Sequence, residues 1–334
     1  MSRPTLADVG RIAGVSAKTV SNVILGRGRV SAATRQKVEE AIVAVGYRVN
    51  QAGRGLASGR HGRIAVVVPM LYQPYFAEVA ERLILAVEAQ GLSTTLRLAP
   101  TPQAERDAVL GITTPDVDGV VICPHALSDD LLDGAEPPQP VVTLGGGPLD
   151  RLDGVIMGER AGMHAVTTHL LDTGRRRIAL VWNSPQGAMP EGARFEGYQQ
   201  ALGEYGLTVD PALIAPGSDW DRRITGYEAM VALLRTRVDF DAAVCINDAV
   251  AVGALRALRS HGRRVPDDVA VTGFDDTDEA EFTTPALTSV QPDQEVMVEH
   301  AVTMLVERLG GLRGAGRHVR TGAHLVPRAS SRSA

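Results

Sequence analysis

Residues 5–25 read TLADVGRIAGVSAKTVSNVIL, and the spacing predicts two short helices joined by a tight turn. Thr5 and Asp8 form a capping-box-like start, a hydroxyl and a carboxylate satisfying free amides of the first turn. Leu6, Val9 and Ile12–Ala13 then recur at helical spacing and make one apolar face. Gly10 admits a second helix at close range, and Gly14 supplies the left-handed conformation of a helix exit. Val15 anchors the turn and Ser16 caps the next helix. In that helix Val20, Val23 and Ile24 point inward, leaving Ala17, Lys18, Thr19, Ser21 and Asn22 outside. Short polar and basic side chains on the leading face of a second helix suit the major groove of DNA, so the stretch reads as a helix-turn-helix.

A third amphipathic helix follows, capped by Ser31, running to about Val45 with Val38, Ala41, Ile42 and Val45 inward, and stopped by Gly46. Residues 50–69, NQAGRGLASGRHGRIAVVVP, then join a short helix-like segment to a buried strand. This order resembles the lactose-repressor (LacI/GalR) family of bacterial transcription regulators. The matching motifs are TLADVGRIAGVSAKTVSNVI, RVSAATRQKVEEAIVAVGYRVN and GRGLASGR, and the resemblance continues to about residue 330.

The resemblance implies a helix-turn-helix domain over residues 1–48, a hinge helix and linker over 49–62, and an effector-binding and dimerisation core over 63–330. It implies operator contacts from Thr5, Ser16, Ala17, Lys18, Thr19, Ser21, Asn22, Arg29, Asn50, Arg54, Leu56 and Ala57. Leu56 by resemblance wedges into a central minor-groove step; the alternative is packing at the domain junction. Asn22 stands where family members commonly carry arginine, so it either pairs with adenine or holds a phosphate. Gly53 and Gly55 each cost a helix about 0.8–1 kcal/mol relative to alanine. A hinge segment of roughly nine residues is too short to be stable alone, so it is expected to fold only against DNA and its dimer mate.

Charge is divided accordingly. Residues 1–60 hold ten Arg and Lys against three Asp and Glu, leaving the rest of the chain with 24 against 36. A basic head on an acidic body concentrates attraction for phosphate at one end. The 334 residues suffice for two or three domains. No stretch has the unbroken apolar length of a membrane span, and no apolar signal region opens the chain. Cys123 and Cys245 each lie in an apolar strand-like run and read as buried free thiols in a reducing compartment. The expected location is the cytoplasm.

From residue 63 strands and helices alternate. IAVVVP at 64–69 is a buried strand, followed by a helix from near Tyr75 with Phe76, Val79, Ala80, Leu83, Ile84 and Val87 on its apolar face. STTLRL, VDGVVICP and PVVTLGG supply further strands. The alternation restarts after Leu152 with GVIM, a helix from about Gly162, RIALVW, a helix from about Gly192, then AAVCIN and VAVTGF. Two such runs mean two parallel-sheet, Rossmann-like α/β subdomains with right-handed crossovers. The resemblance implies the periplasmic-binding-protein-like core, with one subdomain over about 63–161 and 293–318 and the other over about 162–290 and 319–330. Ligands bind such sheets at the carboxyl ends of the strands, so the expected site is the cleft between the lobes.

Enzymatic motifs are absent from the sequence: there is no GxxxxGK[ST] phosphate loop, GxSxG elbow or HExxH pair. Gly145-Gly146-Gly147 lacks dinucleotide-motif spacing. His164 and His169 are five apart, off a shared helix face. No catalytic residue, metal site or cofactor is expected. The alternative is a sugar-binding or sugar-processing protein of the same core fold without a regulatory role.

A sugar offers hydroxyls around its edge and an apolar face, and calls for fixed charged or amide groups and a flat aromatic. Asp275 in GFDD, Asn247 in CIND and Arg194 in ARFEGY match family positions that contact the effector; otherwise they form a structural network closing the cleft. Tyr75 and Phe76 in QPYF resemble an aromatic pair opening the first core helix and are both candidate effector contacts, Tyr75 the stronger of the two and Phe76 alternatively a core residue. Trp220 either stacks on a ligand or packs, and Trp182 is expected to face the core. Gly158-Glu159 replaces an Asp-Asn pair common in the family, which removes one effector contact and brings in an acid. The resemblance implies a homodimeric repressor of a near-palindromic operator, controlled by a small effector, a sugar or sugar derivative. The terminal GAHLVPRASSRSA lacks the apolar heptads of a tetramerising coiled coil.

Overall fold

The computed structural model describes residues 4–24, 30–47, 61–182, 189–217 and 222–332. They fall into two compact units, residues 1–62 and 63–334.

The first unit holds three helices, α1 (Leu6–Ala13), α2 (Ala17–Ile24) and α3 (Ala32–Val45). Thr5 and Asp8 cap each other: the Asp8 amide donates to Thr5 Oγ1 at 3.4 Å and the Thr5 amide to Asp8 Oδ2 at 3.0 Å. Those Thr5 bonds, with Arg11 beside them, hold the Asp8 carboxyl down to about 2. Gly14 ends α1 at φ 67°. A Cβ on Gly10 would stand 2.7 Å from the Val15 carbonyl oxygen, so only glycine lets the turn fold back this tightly. The Thr19 amide donates to Ser16 Oγ at 3.0 Å, and the Thr34 amide to Ser31 Oγ at 3.2 Å. Gly46 closes α3 in the left-handed region at φ 64°.

Val9, Val20, Val23, Val38 and Ala41 are buried together as the core of this unit, with Leu6, Ala13, Ile24, Ile42 and Val45 packed around them. Ile12 departs from the expected apolar face: it is 54% exposed. In an eight-residue helix Val9 and Ala13 already fill the inward stripe, and Ile12 lies about 100° around from Ala13.

The second unit opens with β1 (Arg63–Val68), α4 (Pro74–Ala89), β2 (Ser93–Leu98), α5 (Pro102–Val109), β3 (Gly119–Ile122), the short α6 (Asp129–Leu132), β4 (Val141–Leu144) and β5 (Asp153–Ile156). Then come α7 (Glu159–Asp172), β6 (Ile178–Trp182), α8 (Ala193–Glu204), β7 (Ile214–Pro216), α9 (Arg223–Thr236), β8 (Ala242–Cys245), α10 (Asp248–Ser260), β9 (Ala270–Thr272) and α11 (Asp278–Phe282). The chain finishes with β10 (Ser289–Pro292), α12 (Gln294–Leu309), β11 (His318–Arg320) and β12 (Ala323–Val326).

The first sheet runs β11-β5-β4-β3-β1-β2 and the second β7-β6-β8-β9, every pairing parallel. Near-continuous burial of β1, β3, β4, β6 and β8 is what sheets covered by helices on both faces require. The antiparallel pair β10–β12, in register from Ser289 with Val326 to Pro292 with Ala323, links the lobes.

Two expected boundaries move. β11 pairs with β5 from His318 to Arg320, so the first lobe holds the chain two residues beyond 318. The helix expected from about Gly162 begins at Glu159. Gly162 serves packing instead, since a Cβ there would lie 2.6 Å from Val290 Cγ1 and 2.9 Å from the Phe274 ring. α12 packs against α4 and over β3, β4 and β5. It comes so close that a Cβ on Gly119 would stand 2.8 Å from Leu305 Cδ1. Cys123 and Cys245 are buried free thiols; burial pushes the Cys123 thiol up to about 12 and that of Cys245 in the same direction.

Candidate functional site

The carboxyl ends of both sheets surround one cavity of about 330 Å³, at the lower end of the range for small-molecule sites. Most lining groups stand at or just beyond the end of a strand. Tyr75 and Phe76 come after β1, Cys123 to His125 after β3, Met157 and Glu159 after β5, and Trp182 ends β6. Ile246 follows β8 and Asp275 follows β9. Arg194 enters from the first turn of α8.

Arg194 is the centre of the charged wall. Its Nε donates to Glu159 Oε1 at 3.0 Å, its Nη1 to the Ile246 carbonyl, and its Nη2 lies 3.6 Å from Asp275 Oδ1. The guanidinium lies over the Phe274 ring, 4.0 Å from Cζ to the ring centroid. Burial opposes the charge on Arg194, but Glu159 and Asp275 overcome it and raise its pKa. Asp275 is held at φ 104°, a region that side-chain-bearing residues rarely adopt. Its amide is tied to the Val290 carbonyl at 2.8 Å. Burial pushes the Asp275 carboxyl up to about 7; Arg194 pulls it down, while Glu159 and Glu78 push it further up.

Aromatic side chains line the cavity as well. Tyr75 meets Phe76 edge to face, with centroids 5.2 Å apart at 74°, and both line the cavity. Trp182, expected to face only the core, is buried beside Phe195 and also forms part of the cavity wall. Asn247 is placed differently from the expectation: it is fully buried, its Oδ1 accepts from the Val250 amide at 2.9 Å as the cap of α10, and it is not among the lining residues. An asparagine at a strand end that also opens a helix has its carbonyl claimed by the helix. Trp220 lies outside the described residues. The acid introduced at Glu159 touches Arg194 directly. Glu191 and Gln73, which carry no local signal of a site, also line the cavity.

In the first unit Ser16, Ala17 and Lys18 are exposed, and Thr19, Ser21 and Asn22 are half-buried. The Thr5 and Ser16 hydroxyls are engaged as helix caps. Arg29, Asn50, Arg54, Leu56 and Ala57, and with them the expected hinge, lie outside the described residues. Among the described residues no cluster of His, Cys, Asp and Glu could hold a metal ion, and no helix is long and apolar enough to cross a membrane.

The buried carboxyl of Asp275 carries a pH signature. Its folded-state value of about 7 exceeds the 3.8 of an ordinary aspartate, so from about pH 4 to 7 the folded chain holds more protons than the unfolded one. Its contribution makes stability fall as pH rises through that window and remain lowered above it. Asp275→Asn is therefore expected to melt higher than the wild type at pH 8, with the gain shrinking toward pH 5, as scanning calorimetry would show. A lower melting temperature at pH 8 would mean that attraction to Arg194 outweighs desolvation.

Residues 5–50 match the family model described as bacterial regulatory proteins, lacI family, and residues 167–331 match a periplasmic binding protein-like domain. The chain is 35% identical over 323 residues to the HTH-type transcriptional regulator CelR of Thermobifida fusca, covering 92% of this chain and 93% of that protein. A structure of the transcriptional regulator CelR–cellobiose complex superposes with a TM-score of 0.71 at 33% identity, covering 98% of this chain and all of the other. The lac repressor dimer bound to operator and the anti-inducer ONPF superposes with a TM-score of 0.86 at 26% identity, over 99% of this chain and 100% of that one. Cap, turn and cleft all agree with these likenesses, and the chain belongs to the lacI family of bacterial regulatory proteins.

Proposed function

We propose that this protein is a homodimeric, cytoplasmic transcription repressor whose affinity for a near-palindromic operator is set by a saccharide bound in the cleft, and that it has no enzymatic activity. One observation carries the ligand reading: a cavity at the carboxyl ends of both sheets joins an Arg194–Glu159–Asp275 charge cluster to an aromatic wall of Tyr75, Phe76 and Trp182. Charged groups fix hydroxyls, and aromatic faces cover the C–H face of a sugar ring. The cellobiose held by the CelR relative supports a sugar as effector, and the operator held by the lac repressor dimer supports a dimer on DNA. The exposed Ser16, Ala17 and Lys18 at the start of α2 suit the leading end of a recognition helix.

Selection of bound sequences from random duplex DNA by the full chain is expected to yield two half-sites related by a dyad. Fluorescence anisotropy on the selected duplex should then show an affinity that falls steeply with salt and changes when cellobiose or another saccharide is added. Enrichment of no sequence, or turnover of a sugar that co-purifies with the protein, would overturn the proposal.

A further inference from the structure

The first residue of α10 is an acid buried without a cation. Asp248 is 1% exposed, and the groups that hydrogen-bond its carboxyl are a hydroxyl pair and an amide. Burial, and then the charge of Asp275, push that carboxyl well above the ordinary aspartate range. An acid so placed is costly to a fold. A helix start favours a carboxylate, but the side-chain cap of α10 is Asn247, whose Oδ1 takes the Val250 amide. The Asp248 oxygens reach to distant chain instead. Oδ2 accepts the Thr277 amide at 2.8 Å and the Thr277 hydroxyl at 3.3 Å, and Oδ1 accepts the Ser289 hydroxyl at 2.5 Å.

These partners bracket the loop that carries Asp275. The Asp248 amide donates to the Phe274 carbonyl at 2.8 Å, and the Asp275 amide to the Val290 carbonyl at 2.8 Å. The Asp276 amide donates to Ser289 Oγ at 3.2 Å. With Thr277 bonded to Asp248, each residue from 274 to 277 is tied either to the start of α10 or to β10. Inside the bracket Asp275 and Asp276 stand in succession at φ 104° and 47°, a conformation that residues with side chains keep only where their surroundings impose it. Gly273 makes room for the bracket, since a Cβ there would lie 2.2 Å from Asp248 Oδ1. The left-handed turn sends the two neighbouring carboxyls to different partners, Asp275 to the cavity and Arg194, Asp276 to Arg328.

We propose that Asp248, acting through Thr277 and Ser289, is the positioning residue that holds Asp275 in the cavity wall. Asp275 is placed this way whichever ligand fills the cavity, saccharide or not. The bracket needs the shape of the side chain rather than its charge. Asparagine at 248 keeps the bonds: its oxygen accepts from Thr277, and its amide donates to Ser289 Oγ, which has lone pairs for this donor and for the Asp276 amide. Alanine keeps neither, and residue 275 is then free to return to negative φ, which turns its side chain off the wall.

The test is made on the full chain without ligand. Asp275→Asn is introduced into the wild type, into Asp248→Asn and into Asp248→Ala, and melting is followed at pH 8 and pH 5; coupled residues give effects that do not add. The rise in melting temperature at pH 8 expected for Asp275→Asn should persist on the Asp248→Asn background and be lost on the Asp248→Ala background. A merely structural Asp248 would lower the melting temperature of Asp248→Ala and leave the effect of Asp275→Asn the same on all three backgrounds, and that result overturns the proposal. Crystal structures of the two Asp248 variants decide independently of the sign of the Asp275→Asn effect. Residue 275 should keep its positive φ and its approach to Arg194 in Asp248→Asn and lose both in Asp248→Ala; an unmoved Asp275 in Asp248→Ala overturns the proposal. Should Asp248→Ala fail to fold, Ser289→Ala removes a single hydroxyl of the bracket. It is expected to reduce the effect of Asp275→Asn, and an unchanged effect with an unmoved Asp275 again overturns the proposal.

Discussion

Arg194→Ala is expected to lower the melting temperature of the ligand-binding unit by about 10 °C at pH 8 and to abolish its response to sugar. The guanidinium is the cation between Glu159, 3.0 Å away, and Asp275, 3.6 Å away. Without it the half-buried carboxyl of Glu159 and the buried carboxyl of Asp275 are left without their shared cation. Removing one partner of a buried ion pair typically costs about 3–5 kcal/mol, and in a unit of this size each kcal/mol shifts melting by roughly 2–4 °C. The Phe274 face and the Ile246 carbonyl lose their partner as well. The loss should be smaller at pH 5, where Asp275 takes up a proton. A variant that melts like the wild type at pH 8 and still responds to sugar would remove Arg194 from the centre of the site.

Val20→Asp is expected to cut operator affinity by about a thousandfold or more, to the level of non-specific binding. Val20 is fully buried in a core whose other buried members are Val9, Val23, Val38 and Ala41. A carboxylate in so small a core has no cation to pair with and no room to reach water, so the three helices should not hold together. The second unit has a separate core; its thermal response to sugar should be unchanged. Anisotropy reads the first effect and thermal shift the second. Retention of operator affinity would mean that the three helices of residues 6–45 do not carry recognition.

Much of this was legible in the residues, because the decisive signals are local. Thr5 with Asp8, Gly14, Ser16, Ser31 and Gly46 announce helix ends through bonds made within four residues. The alternation of apolar strand runs and helices likewise announces the two parallel sheets. What failed to show depends on chain distant in sequence. Gln73 beside Pro74 reads as an ordinary polar residue at a helix start, and nothing local says that it is buried. Trp182 reads as core because it ends an apolar strand, and nothing local says that the strand ends at a cavity. Asn247 carried two compatible local meanings, strand-end ligand and helix cap, and the Val250 amide claims its carbonyl. Ile12 shows the limit of periodicity in a helix of two turns, where one more apolar residue than the stripe can hold is left outside.

The late return of the chain into the first lobe bears on how the protein is made. The three helices of the head are complete once residue 45 has been synthesised, so the head can fold soon after it leaves the ribosome. The first lobe cannot. α12, which covers β3, β4 and β5, and β11, which closes the edge of β5, come after every strand of the second lobe's sheet. Until residue 320 is translated, a bare apolar sheet face and an open strand edge await their cover. A chain cut short by a premature stop anywhere between residues 63 and 320 thus joins a head that folds to a core that cannot. Such fragments belong to the cell's chaperones and proteases rather than to its operators, so nonsense alleles of this gene should behave as simple losses of repression even when the whole DNA-reading head is encoded.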